Sequence, residues 1–230
     1  IPFGPAGILA TTEWNAGAVS LSPSVINPAS RVMITKGSSD GVTFQYANLT
    51  TAQKTYIDKN ASGTVDNCGV ERIAYLRGTA TQENSAGTFT CASSTAINKF
   101  RVRSTSKLGD IVNSGPMFVG KPSAGFSDVD HSGYAAFKNN YKDRLPMIYV
   151  GANDGILHGF NACIVGVTPG CTTSDAGKEL LAYVPSHVYS NLSRLTDKDY
   201  NASHRYFADG SPMVGDVYSS GTSIWRTILV

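Results

Sequence analysis

Short runs of β-rich residues recur along the chain, each pair parted by a turn signal. The clearest pair is Met147-Ile148-Tyr149-Val150 and Ile156-Leu157-His158-Gly159-Phe160, separated by Asn153-Asp154-Gly155. Asp-Gly supplies the positive φ that a tight hairpin turn requires, so this stretch predicts two antiparallel strands. The phrase occurs earlier as Arg31-Val32-Met33-Ile34-Thr35, a turn at Asp40-Gly41, and Val42-Thr43-Phe44-Gln45-Tyr46. Three proline-led openings precede such phrases: Ser22-Pro23-Ser24-Val25, Gly115-Pro116-Met117-Phe118-Val119 and Ser211-Pro212-Met213-Val214, their prolines 93 and 96 positions apart. After the third comes the apolar run from Trp225 to Val230. Phe100-Arg101-Val102-Arg103 and Glu179 to Val184 predict a fourth strand for the first two units.

A short strand, a longer loop, then strand, hairpin and strand is the pattern of one four-stranded antiparallel blade. The fold class expected is therefore all-β: a partial β-propeller with short helical insertions in its loops. An open two-sheet sandwich also has short strands and Gly-rich turns, but does not require one strand–turn–strand phrase to recur. On this reading residues 1–230 are a fragment of one propeller domain. Its blade-like units cover about 20–107 and 108–190, with an incomplete one from about 204. Two units and part of a third fall short of the typically 4–8 blades of a closed ring. Opening on Ile1 and stopping at Val230 inside an expected strand, the sequence reads as a segment of something longer.

Helical signals are few. Thr50-Thr51-Ala52-Gln53 is a capping-box pattern opening a helix to about Ile57. Val70, Ile73 and Ala74 share a helical face that Gly78 terminates, and Ser132 is placed to cap a helix carrying Tyr134, Phe137 and Tyr141. Leu192 and Leu195 suggest one more turn before Thr196. These pieces fall in the long loops, where a propeller keeps its variable surface.

Composition narrows the function. The 230 residues hold 19 basic and 17 acidic side chains, a net charge of +2. Charge is even along the chain, with 7 basic and 6 acidic residues up to position 100 and 12 and 11 after it. That gives no footprint for nucleic acid or an anionic membrane. No apolar run approaches the roughly 18–20 residues that span a bilayer. Cys163 and Cys171 bracket a loop containing Pro169-Gly170, whose turn chemistry predicts a local disulfide. Cys68 and Cys91 then pair by default, which points to an oxidising compartment; free buried thiols in a cytosolic protein are the alternative. No Cys-x-x-Cys spacing marks a zinc site.

Catalytic signatures are missing from the sequence. His131, His158, His187 and His204 are scattered, and no Gly-x-Ser-x-Gly or phosphate loop accompanies them. His158, alternating with Leu157 and Phe160, reads as a structural or exposed strand histidine. The metal candidate is Asp128-Val129-Asp130-His131-Ser132-Gly133, in which Asp128, Asp130 and Ser132 offer oxygens at alternate positions, the front half of a calcium loop. Its twelfth position is Asn139 in place of the bidentate Glu. The rival reading has Ser132 capping the next helix and the aspartates facing water near its N-terminus.

One run carries a resemblance. Leu108-Gly109-Asp110-Ile111-Val112-Asn113-Ser114-Gly115-Pro116, with Met147 to Asn161, resembles the PilY/PilC-type type IV pilus tip proteins. Gly177 to Pro185, Tyr206 to Asp216 and Trp225-Arg226-Thr227 follow in that family's order. Residues 100–230 match densely and the earlier part loosely, through Arg31 to Ile34, Gly41 to Leu49 with Gln53, and Tyr75 to Gly78. The resemblance implies the carboxy-terminal β-propeller of a large secreted bacterial protein, exported through the periplasm to the pilus tip. In that family it docks on minor pilins, primes assembly, antagonises retraction, and often belongs to an adhesin that meets host or surface receptors.

Family propellers commonly bind calcium through an Asp-x-Asp-x-Asn-x-Asp loop. No such loop stands in this sequence, so that site is not carried over, no cofactor is assigned to this segment, and calcium elsewhere in the full-length protein stays open. The Cys163–Cys171 stretch departs from the family as a longer, disulfide-closed elaboration. The resemblance casts the motif residues as architecture. Gly151, Gly155, Gly210 and Gly215 would permit tight turns and close backbone approach. Asp110, Asp154, Asp209 and Asp216 would hydrogen-bond turn amides between blades. A non-enzymatic protein is expected. The alternative is a quinone-dependent dehydrogenase propeller, which shares a Gly-x-x-Asp-Gly-x-Leu phrase but normally adds a stacking Trp and adjacent cysteines; the two Trp here are Trp14 and Trp225.

Overall fold

The computed structural model describes residues 14–91 and 96–230. In chain order the regular elements are α1 (Ala16–Val19), β1 (Met33–Lys36), β2 (Gly41–Thr43), α2 (Thr51–Ile57), α3 (Gly69–Arg77), β3 (Thr88–Thr90) and β4 (Ala96–Asn98). Then follow β5 (Met117–Val119), α4 (Tyr134–Asn140), β6 (Met147–Ala152), β7 (Ile156–Asn161), β8 (Glu179–Val184), α5 (Tyr189–Leu192), β9 (Val214–Ser219) and β10 (Ile224–Leu229). Single 3-10 turns fill the joins around Tyr46–Asn48, Ser186–Val188, Ser193–Thr196 and Tyr200–Ser203.

The protein is mostly β, and its sheets are open. The largest has six strands in the order β2-β1-β8-β7-β6-β5, and two-stranded sheets β10-β9 and β3-β4 accompany it. Within it β5, β6, β7 and β8 form an antiparallel meander, the arrangement of one blade. Its central hairpin turns where the Asp-Gly signal stands: Gly155 takes φ +84 and donates to the Ala152 carbonyl. Between β7 and β8 the register shifts at Gly159/Phe160.

The first unit departs from expectation. β1 and β2 form the expected hairpin, but β1 pairs in parallel with β8, Ile34 opposite Tyr183, so the hairpin extends the neighbouring sheet. Ser22 to Val25 is a turn in which Val25 and Ile26 donate to the Ser22 carbonyl, not a strand opening. The strand expected at Phe100 to Arg103 reduces to one bridge between Phe100 and Glu83. Its arginines turn inward to acceptors instead of alternating across a sheet: Arg101 donates to the Leu195 carbonyl and Arg103 to Glu83. The other two proline-led openings do enter strands, β5 and β9, in different sheets.

The helices carry more of the core than loop insertions should. The main apolar cluster unites Met33, Phe44, Ile57, Ile73, Leu76 and Phe100 with Ile156, Val184, Val188, Leu192 and Leu195. α2, α3 and α5 thus cover one face of β1, β8 and the start of β7. α2 begins with the capping box read from sequence: Thr50 Oγ1 accepts from the Gln53 N–H, and Gln53 Oε1 from the Thr50 N–H. α3 ends at Gly78, φ +115, but Val70 is solvent-exposed and does not share the buried face of Ile73. α4 is preceded by Gly133 at φ +82 and not capped by the Ser132 side chain; Tyr134 and Phe137 are buried, whereas Tyr141 is half exposed.

Two disulfides fasten this frame. Cys68 joins Cys91 with Cα atoms 5.3 Å apart, and Cys163 joins Cys171 at 5.9 Å. The first ties the start of α3 to the end of β3, and the second closes the loop that follows β7.

Candidate functional site

The chemistry in this molecule concentrates where the N-terminal hairpin meets the meander. His158, on β7, has no solvent exposure. Its Nδ1 lies 2.7 Å from Glu179 Oε1 on β8, and its Nε2 3.1 Å from Asp154 Oδ2 in the hairpin turn. Glu179 also receives Arg31, with Nε 2.5 Å from Oε2 and Nη2 2.8 Å from Oε1. Arg31 stands just before β1 and donates further to the Leu76 and Arg77 carbonyls at the end of α3. Asp154 closes the chain of contacts by accepting from the Gly109 and Ile156 N–H groups.

Burial disfavours a charged imidazole, but attraction and hydrogen bonds from Asp154 and Glu179 outweigh it and raise the His158 pKa to about 9. Burial likewise disfavours the Glu179 carboxylate, yet Arg31 and His158 hold its pKa near 2. Two cations and two anions therefore neutralise one another inside the fold. Such a group resists the loss of any one member, since the remainder would be buried charges without partners. It is an architectural clamp and offers no accessible base.

A second charged cluster lies beside the first. Glu83 accepts from Arg103 at Nε (2.9 Å) and Nη2 (2.6 Å) and from the Lys107 ammonium at 2.8 Å. Burial opposes the Glu83 carboxylate, and these two cations reverse that and lower its pKa. Burial also lowers the Lys107 pKa, with Glu83 pulling the other way. Arg103 and Lys107 border a cleft of about 240 Å³ that reaches Asp110, Asn153 and Tyr200. There Asp110 Oδ2 accepts from Asn153 Nδ2 at 2.7 Å and lies 3.0 Å from His204 Nε2.

The motif residues occupy the seams between units. Asn113 N–H donates to Asp209, the Ser114 hydroxyl to the Gly210 carbonyl and Gly115 N–H to the Ser211 hydroxyl, each partner 96 positions on. The Pro116 and Pro212 openings of two successive units therefore lie side by side. Gly151 sits under this seam, where a Cβ would come within 2.1 Å of the Ala208 carbonyl oxygen. Asp154 and Asp209 hydrogen-bond backbone amides. Asp110 and Asp216 do not fit the expected role, because Asp110 takes side chains and Asp216 accepts the Tyr134 and Thr227 hydroxyls. Gly210 and Gly215 have neither positive φ nor a close neighbour, so their expected turn role finds no support.

Among the described residues, the hydrogen-bond partners of the histidine rings are carboxylates. Asp128 Oδ1 accepts from the Ala135 N–H at 2.7 Å, holding the start of α4, while the Ser132 carbonyl accepts from the Trp225 indole. A second set of oxygens, with the same spacing as Asp128 to Gly133 and not anticipated from sequence, stands in the loop from Asp58 to Asp66. Asp58, Asn60 and Ser62 alternate before Gly63, which takes φ +86, the front of the same calcium-loop pattern. Asp58 Oδ2 accepts from the Tyr46 hydroxyl, while its buried Oδ1 has no hydrogen-bond partner among the described residues. Asp66 is bound by Arg72. These are the residues that could hold a hard cation, and their Asp-x-Asn-x-Ser-Gly spacing was the available signal.

An open, mostly-β assembly with one complete four-stranded meander and hydrogen-bonded seams between repeated units has the blade arrangement of a β-propeller. The model of the PilY1 beta-propeller domain family matches residues 108–230, and the chain belongs to that family. It is 32% identical over 228 residues to the type IV pilus biogenesis factor PilY1 of Pseudomonas aeruginosa strain PAK, covering 96% of this chain and 17% of that protein. It is 36% identical over 193 residues to a PilY1 homolog of Xylella fastidiosa strain Temecula1, covering 81% of this chain and 14% of that protein. The chain thus spans about a sixth of the length of these relatives. No solved structure matches it.

Proposed function

We propose that this chain is part of the propeller of a type IV pilus biogenesis factor. It acts as a non-enzymatic scaffold that docks on minor pilins at the pilus tip, supports pilus extension and presents loops for adhesion. The observation that carries the reading is the family match over residues 108–230, joined by relatives named as pilus biogenesis factors across most of the chain. The clamp around His158 agrees with it, because ionisable groups that an enzyme would present to substrate are here paired with one another. The two disulfides support a route through the periplasm to the cell surface.

Complementation tests the reading. The full-length protein is expressed in a type IV-piliated bacterium whose own homologue is deleted, and sheared surface pilin and twitching zones are measured. Restored pili, with crosslinks from the propeller to minor pilins in intact fibres, are the expected result. A stably exported protein that restores neither piliation nor motility would overturn it.

A further inference from the structure

The β9–β10 hairpin and α4 enclose a groove that pilus assembly does not account for. On one face of the hairpin Tyr218 stands directly opposite Trp225, their ring centroids 5.5 Å apart. The next pair on that face, Asp216 and Thr227, is covered by α4 through the Tyr134 hydroxyl, so α4 closes only the base of the groove. Toward the hairpin tip the space stays open, with a volume of about 420 Å³ lined by Phe137, Asn140, Tyr141, Tyr218, Ser223 and Trp225 among others. That is within the roughly 300–1,000 Å³ range of small-ligand sites. Tyr141 and Tyr218 leave nearly half their surface exposed, at 48% and 49%.

Three features select the ligand. Among the described residues, none of the side chains lining the groove carries a formal charge, which disfavours ionic ligands. The aromatic faces are electron-rich and attract the weakly positive C–H face of a pyranose ring, while Asn140 and the serines supply neutral donors and acceptors for hydroxyl groups. The indole N–H of Trp225 is already bound to the Ser132 carbonyl at 3.1 Å, so it is not free to donate to the carbonyl of a docked peptide.

We propose that the groove between α4 and the β9–β10 hairpin binds a neutral saccharide, stacked on Tyr218 and Tyr141 with Asn140 hydrogen-bonding its hydroxyls. The site goes beyond the pilus-assembly reading and can fail without it.

Saturation-transfer difference NMR on the purified full-length protein tests this. The probes are methyl β-galactoside, methyl α-mannoside, diacetylchitobiose, the charged control sialyllactose and a proline-rich decapeptide. At least one neutral sugar is expected to receive saturation and to bind roughly tenfold more weakly to Tyr218→Ala, while Tyr218→Phe retains affinity within about twofold. Tyr206→Ala, exposed and outside the groove, should bind as the parent does. Surface pilin measured in the Tyr218→Ala strain is expected at the parental level, which separates this site from biogenesis. Saturation of none of the neutral sugars, binding unchanged in Tyr218→Ala, or saturation of the peptide alone would each overturn the proposal.

Discussion

The β5–β8 meander and the segment from Trp14 to Lys107 are built on different principles. In the meander each strand pairs with the next in sequence, and the central reversal is a tight turn of local chemistry. The N-terminal segment has two short antiparallel pairs, β1–β2 and β3–β4, and is joined to the rest by partners far along the chain. β1 borrows the edge of β8, Arg31 reaches Glu179 across 148 positions, and Tyr75 donates to the Leu195 carbonyl across 120. Contacts between neighbouring strands specify the meander, while contacts of long sequence separation fix the N-terminal segment against it.

Breaking the docking contact should therefore cost more than breaking the local turn. Glu179→Ala leaves Arg31 and His158 as buried cations short of partners and is expected to destabilise by roughly 3–5 kcal/mol. For a chain of this size that corresponds to a melting temperature lower by about 10 °C, read by calorimetry. A loss under about 1 kcal/mol would mean the clamp is solvated. Gly155→Val tests the meander's turn. At φ +84 a branched residue is strained, and its Cβ would stand 2.6 Å from Leu192 Cδ2. The expected cost is roughly 2–4 kcal/mol; a folded variant of parental thermal stability would show that the turn adopts another conformation.

The disulfides sharpen the contrast. Replacing Cys68 and Cys91 by Ser opens a separation of 23 residues, and replacing Cys163 and Cys171 opens one of 8. Chain entropy gives about 3 and about 2.5 kcal/mol respectively. Limited proteolysis should cut the first double variant within the N-terminal segment and the second only in the loop after β7. The reverse pattern would contradict this division.

The same clamp makes stability depend on pH. The folded His158 pKa, about 9, lies above the ordinary value of 6.5. Its stabilisation is therefore complete below about pH 6.5 and is lost as pH rises through 9. Glu179, near 2 in the fold against 4.5, stabilises above pH 4.5 and ceases to do so as pH falls toward 2. Melting temperature should be flat between about pH 4.5 and 6.5 and decline on either side. In His158→Gln the alkaline decline should disappear; its persistence would assign that limb to another group.

Sequence showed the meander well and its docking poorly, for the same reason. Asp154-Gly155, the Thr50–Gln53 box and the cysteines around Pro169-Gly170 act within a few residues, so their chemistry is readable where they stand. Arg31 and Glu179 each look like a solvated charge until β1 and β8 are adjacent. His158 was legible as structural, but its two carboxylate partners were not. Phe100 to Arg103 misled because alternation of apolar and charged residues is the strand signal, and here the arginines serve buried acceptors instead. The oxygens of Asp58, Asn60 and Ser62 repeat the spacing of Asp128, Asp130 and Ser132, and spacing alone does not separate the two sets.

Amide hydrogen exchange at Ala182, whose N–H donates to the Val32 carbonyl at 2.9 Å, reports most directly on whether the N-terminal hairpin and the meander are one sheet. Protection there comparable with that of β6 and β7, lost selectively in Arg31→Ala while Val150 and His158 stay protected, is the result expected. Rapid exchange at Ala182 in the parent protein would show that β1 does not pair with β8, and protection indifferent to Arg31 would show that the Arg31–Glu179 contact does not hold it there.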